Sequence, residues 1–76
     1  MEVVVWSKDF CPFCIKAKDA LKKSGIEYEE RIIGSGWTKE QLLEQVPNAR
    51  TIPQIFIDGK HIGGYNELMK SGVLDK

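Results

Sequence analysis

The chain has 76 residues, enough for one compact domain spanning residues 1–76. Hydrophobic residues make up 42% and charged residues 29%, the balance of an ordinary globular protein. Eleven basic side chains offset eleven acidic ones, so no global field draws the chain to nucleic acid or an anionic membrane. No apolar run approaches the roughly 20 residues that cross a bilayer. Met1-Glu2-Val3-Val4-Val5-Trp6 has neither the basic region nor the cleavage site of a signal peptide, so a cytoplasmic location is expected.

Val3–Trp6 is a short β-branched and aromatic run, the pattern of a strand buried on both faces. Ser7-Lys8-Asp9-Phe10 leads as a loop to Cys11, and Pro12 suits the first turn of a helix. From there to Ser24, Cys14, Ala17 and Leu21 share one face at helical spacing, and Gly25 ends the helix. A second strand is expected across Ile26, Tyr28, Ile32 and Ile33, until Gly34-Ser35-Gly36 breaks it. Thr38 and Gln41 have capping-box spacing, and Trp37 with Leu42 fits a hydrophobic staple. That helix carries Leu42, Leu43 and Val46 and stops before Pro47. Gln54–Ile57 and Lys60–Gly63 flank Asp58-Gly59 as a hairpin. A last short helix follows Gly63-Gly64 and ends near Gly72. The predicted order is β-α-β-α-β-β-α. Its first βαβ unit is parallel and right-handed, and the hairpin adds two antiparallel strands.

Cys11-Pro12-Phe13-Cys14 carries the chemistry. In a reducing compartment such a pair is more often redox-active or metal-binding than structural. A disulfide exchanger needs a thiolate at neutral pH, whereas free cysteine titrates at about 8.5. At a helix N-terminus Cys11 meets unpaired N–H groups and the positive end of the dipole, with Lys8 as a further cation. Cys14, one turn in, is less exposed and within reach of a mixed disulfide on Cys11. Cys11 is therefore read as the nucleophile and Cys14 as the resolving thiol. Two core thiols would be the plain alternative, but the strand-to-helix junction disfavours it. A zinc site needs four ligands, and His61, the only histidine, leaves the set one short. No metal is expected.

These residues, and three further segments in the same order, resemble the glutaredoxins over nearly the whole chain. Cys11–Cys14 resembles the family's dithiol site, with Phe13 where tyrosine is more usual, and Lys8 matches its lysine. Thr51-Ile52-Pro53 is similar to its Thr-Val-Pro segment, and Gly63-Gly64-Tyr65-Asn66-Glu67 to its double-glycine turn. Taken alone, Pro53 would open an edge strand, Gly63-Gly64 would be a turn, and Lys8 a solvated lysine. The resemblance implies an α/β, thioredoxin-like fold: a four-stranded mixed sheet flanked by three helices. It also implies a cis bond before Pro53 opposite Cys11, and an Ile52 backbone that pairs with glutathione as an added strand.

In that reading Tyr65 and Asn66 amides hold the γ-glutamyl carboxylate and Glu67 the ammonium, while Lys8 and Arg50 hold the glycyl carboxylate. Phe13, Thr51, Ile52, Pro53 and Gly64 complete the glutathione-binding set, and Phe13, Tyr65 and Trp37 are candidate groove aromatics. Two positions depart from the family: Asn66 stands where aspartate is common. Glu40, between Lys39 and Gln41, aligns with a glutamine or basic residue.

The implied function is a glutathione-dependent thiol–disulfide oxidoreductase, monomeric, with glutathione as co-substrate and no tightly bound cofactor. Its partners would be disulfide-containing or glutathionylated proteins, ribonucleotide reductase among them, with no nucleic acid and no membrane. Two other readings share the fold. One takes electrons from thioredoxin reductase, which Lys8 and the Gly63–Glu67 turn disfavour. The other carries an iron–sulfur cluster between two chains, which Pro12 disfavours by stiffening the helix start.

Overall fold

A computed structural model of the chain describes residues 2–72 and Leu74; Met1, Val73, Asp75 and Lys76 lie outside the described residues. The elements run β1 (Val3–Ser7), α1 (Pro12–Lys23), β2 (Glu29–Ile32), α2 (Lys39–Gln45), β3 (Gln54–Ile57), β4 (Lys60–Gly63) and α3 (Tyr65–Lys70). The four strands form one mixed sheet in the order β2-β1-β3-β4. β1 is parallel to β2 and antiparallel to β3, and β3 is antiparallel to β4. The expected thioredoxin-like arrangement is therefore present. Among the described residues, no helix is long and apolar enough to cross a membrane.

β1 is the central apolar strand, and its two-residue period feeds two cores. Val3 and Val5 join Ala17, Leu21, Ile26, Ile55 and Leu68 on the face that α1 and α3 cover. Val4 and Trp6 point the other way, toward Leu42 and Val46 of the α2 segment with Ile33, Trp37, Ile52 and Phe56. The helical face read from spacing is the buried one: Cys14, Ala17 and Leu21.

The second strand is shorter than expected and begins at Glu29, not Ile26. The reason lies at the end of α1. Gly25 takes φ +72°, its N–H donates to the Lys22 carbonyl, and the Ile26 N–H donates to the Leu21 carbonyl at 2.9 Å. That is a Schellman motif, which also packs Ile26 against Leu21 in the core. Ile26 caps a helix instead of pairing in a sheet. Ile33 likewise falls outside the strand, making an isolated bridge to Trp37.

The other signals hold. Thr38 Oγ1 accepts from the Gln41 N–H at 3.2 Å while Gln41 Oε1 accepts from the Thr38 N–H at 2.8 Å, completing the capping box. Trp37 and Leu42 both belong to the second core. Asp58 and Gly59 both have positive φ, 52° and 81°, in the tight turn of the β3–β4 hairpin.

Candidate active site

β1 ends in the buried Ser7, and the loop after it delivers Cys11 to the start of α1. Phe10 bridges the gap with φ +60° and is 99% exposed, a placement that sequence patterning does not reveal. Cys11 is the N-cap residue with extended backbone, and the Cys14 N–H donates to its sulfur at 3.2 Å. Pro12 follows as the first helical residue, where its missing N–H removes no helix bond. Cys11 and Cys14 are joined as a disulfide with Cα atoms 5.2 Å apart. Cys11 retains 6% exposure and Cys14 1%, so only the first has an opening to solvent worth naming.

Across from the cysteines runs the segment before β3. The Ile52–Pro53 peptide bond is cis, as the resemblance implied, and the Ile52 carbonyl oxygen lies 3.6 Å from Cys11 Sγ. Two depressions flank this point and share Thr51 and Ile52. One, of about 190 Å³, is bordered by Phe13, Thr51, Ile52, Pro53, Gly64, Tyr65, Asn66 and Glu67. The other, of about 220 Å³, is bordered by Lys8, Arg50, Thr51 and Ile52 together with Ile33, Lys39, Leu42 and Leu43. Each of the ten residues expected to bind glutathione borders one or both of these two depressions.

Close packing explains the double glycine. A Cβ on Gly64 would sit 3.1 Å from the Pro53 carbonyl, so the turn before α3 lies directly against the cis-proline segment. Gly63 has φ +118° and a Cβ there would fall 2.6 Å from Glu67 Cγ. Glu67 Oε1 accepts from the Gly64 N–H at 2.8 Å, capping α3 and holding the turn. Phe13 and Tyr65 face each other with ring centroids 5.9 Å apart, forming one wall.

One expectation needs correction, and one open position is filled. Trp37 is not at the groove: its ring packs against Trp6 with centroids 5.2 Å apart and under the Arg31 guanidinium. The residue of the Lys39–Gln41 stretch that reaches the groove is Lys39, not Glu40, and Gln41 is spent on the capping box. Helix phase could have shown this, since Lys39 lies three residues before Leu42 and shares its side of α2. His61, the leftover histidine, pairs with Gln54 Oε1 at 2.6 Å and stacks beside Phe56.

A polar cluster braces the sheet beneath the site. Glu30 on β2 accepts from the Ser7 hydroxyl at 2.8 Å and from Lys18 of α1 at 2.5 Å. Burial opposes ionisation of Glu30, but the bonds from Lys18 and Ser7 and the charges of Lys18 and Lys22 prevail. Its carboxyl titrates below the usual glutamate range.

A disulfide-bonded cysteine pair at a helix N-terminus, facing a cis-proline, is one feature of a wider likeness. The family model described as Glutaredoxin matches residues 3–62. The chain belongs to the glutaredoxin family. Among curated glutaredoxins, Glutaredoxin 1 of Rickettsia conorii is 41% identical over 80 residues, covering 97% of this chain and 78% of its own. Glutaredoxin-C4 of Arabidopsis thaliana is 36% identical over 83 residues, covering 99% of this chain but only 60% of the relative. This glutaredoxin therefore spans about 60% of the length of such plant relatives. A crystal structure of buckwheat glutaredoxin in complex with glutathione superposes with a TM-score of 0.78 at 33% identity, covering 91% of this chain and 66% of the buckwheat one.

Proposed function

We propose that this glutaredoxin is a glutathione-dependent thiol–disulfide oxidoreductase in which Cys11 is the nucleophile and Cys14 the resolving thiol. The observation that carries the reading is the approach of the Ile52 carbonyl to Cys11 Sγ, 3.6 Å beside a cis-proline, where Thr51 and Ile52 border both depressions. A backbone edge held beside a reactive sulfur suits a substrate that pairs as an extra strand while its own sulfur is attacked. The glutathione complex of the buckwheat relative supports glutathione as that substrate.

The Cys14 N–H donates to Cys11 Sγ in the disulfide form, and the same donor with the α1 dipole would stabilise a Cys11 thiolate once the pair is reduced. The thiolate attacks the glutathione sulfur of a mixed disulfide, forming a new S–S bond and releasing the protein thiolate, which takes a proton from water. A glutathione thiolate then attacks the glutathione sulfur of the Cys11 mixed disulfide, so that the Cys11–sulfur bond breaks, glutathione disulfide leaves and the Cys11 thiolate is restored. With a protein disulfide, Cys14 instead attacks Cys11 Sγ, and two electrons pass to the substrate. The γ-glutamyl carboxylate meets the Tyr65 and Asn66 N–H groups. Glu67 Oε1 is occupied by Gly64, which leaves Oε2 for the ammonium. Lys8 and Arg50 receive the glycyl carboxylate.

Turnover of a glutathione mixed disulfide, coupled to glutathione reductase, tests the reading. Cys11→Ser should be inactive, and Cys14→Ser should keep this activity while losing most protein-disulfide reduction. Equal inactivity of both variants toward the mixed disulfide would overturn the assignment. Turnover with thioredoxin reductase in place of glutathione and its reductase would favour the other electron source.

A further inference from the structure

We propose that the cationic end of the groove selects protein disulfides whose attacked cysteine is followed, within about three residues, by an acidic and an apolar side chain. The inference rests on the reading of Cys11 as nucleophile given above. Lys8, Lys39 and Arg50 converge on one depression of about 220 Å³ that is floored by Ile33, Leu42 and Leu43. No carboxylate borders it: Asp9 and Glu40, next to two of these cations in sequence, do not line it.

Among the described residues the ion pairs involve Lys18, Lys23 and Arg31, so Lys8, Lys39 and Arg50 are left unpaired. Three unpaired cations in one place stand out in a chain whose eleven basic and eleven acidic groups cancel. Together they give this end of the groove a local positive potential.

Glutathione alone does not use this end fully. Its glycyl residue brings one carboxylate and no side chain, leaving two positive charges and the apolar floor unmatched. A polypeptide continuing past its cysteine in the same direction supplies both missing elements. Thr51 and Ile52 border this depression as well as the other one, so a strand paired with Ile52 runs straight into it. At about 3.3 Å per residue, one to three residues beyond the cysteine lie over Lys8, Lys39 and Arg50.

The reaction keeps its balance. Cys11 thiolate attacks the sulfur of the cysteine bound in the groove, and the second substrate cysteine leaves as thiolate. Cys14 thiolate then attacks Cys11 Sγ and forms the Cys11–Cys14 disulfide. The substrate departs as a dithiol after its thiolates take protons from water, two electrons richer.

The test uses three cyclic disulfide peptides identical except after the second cysteine: Glu-Glu-Leu, Gln-Gln-Leu or Lys-Lys-Leu. Their reduction by the pre-reduced chain is followed in a single turnover. The wild type should favour the acidic peptide over the neutral one by roughly twofold to tenfold, and the basic peptide should be slowest. The preference should shrink between about 10 mM and about 1 M salt, as the screening length falls from about 30 Å to about 3 Å. Lys39→Gln should cut the acidic-to-neutral ratio by about twofold to fivefold.

Equal rates for the three peptides at low salt, or a ratio that Lys39→Gln leaves unchanged, would overturn the proposal. Turnover of the glutathione mixed disulfide separates the failures. If it proceeds while the peptides react equally, only the selectivity falls. If nothing is turned over, the oxidoreductase reading falls and the selectivity with it.

Discussion

Gly63→Ala isolates what the double-glycine turn contributes. Gly63 has φ +118°, a region that residues with a Cβ occupy at a cost on the order of 1–3 kcal/mol. Its added Cβ would also meet Glu67 Cγ at 2.6 Å and Glu67 Cβ at 2.9 Å, distances too short to keep. Glu67 must swing away, and the Gly64 N–H then loses its 2.8 Å bond to Oε1. Loss of a cap of this kind costs about 0.5–2 kcal/mol, and residual overpacking adds about 1 kcal/mol or more.

Gly36→Ala is the matched control. Gly36 has φ +101° and open space for at least 4 Å around the position a Cβ would take, so it bears the backbone cost alone. Urea unfolding followed by the fluorescence of buried Trp6 should show both variants destabilised, Gly63→Ala by about 1–3 kcal/mol more. For a chain of this size that difference corresponds to roughly 4 °C or more in Tm. Equal destabilisation of the two would refute the argument, because it would mean that the Glu67 contact holds nothing.

Gly64→Val places a branched side chain against the Pro53 carbonyl, which a Cβ alone approaches to 3.1 Å, and should raise KM for a glutathione mixed disulfide several-fold. An unchanged KM would mean that glutathione does not cross this turn. Thr38→Ala removes one half of the α2 capping box and should destabilise the chain by about 1 kcal/mol in chemical denaturation. Glu30 titrates below its unfolded value, so its contribution is present above the ordinary glutamate pKa of about 4.3. It is lost as pH falls through the lower folded value. Glu30→Gln should therefore flatten that part of the acid limb of a stability–pH curve, and an unaltered limb would show the Lys18–Glu30–Ser7 cluster to be inert. Alkylation of the reduced protein against pH should show Cys11 reacting well below the range of a free thiol, as its place at the head of α1 requires.

Much of the fold is local and is legible for that reason. The α1 face, the Thr38–Gln41 box, the Asp58-Gly59 hairpin and the alternation in β1 each depend on neighbours within a few positions, so periodicity and turn chemistry disclose them. The start of β2 escapes such a reading because Ile26 satisfies two patterns. An alternating apolar residue after a glycine suits a strand, but the same residue completes a Schellman motif on Leu21. Only packing against the first core chooses between them.

The chemistry divides in the same way. Cys11-Pro12-Phe13-Cys14 announces itself, because two thiols and a helix start lie within four residues. Pro53, Gly63 and Gly64 have ordinary meanings by themselves and acquire a role through resemblance or through space. The structure shows what the bare residues could not: the Ile52 carbonyl beside Cys11, and Gly64 held against the Pro53 carbonyl. Tertiary structure set Trp37 against Trp6 in the second core and put Lys39 in one depression with Lys8 and Arg50, partners that helix phase does not name. Those residues are distant in sequence, and a string of amino acids records no distance through space. The sequence by itself determined which local elements form and where the reactive pair stands. The closing of the sheet, with β1 between β2 and β3, decided which remote side chains share the groove with that pair.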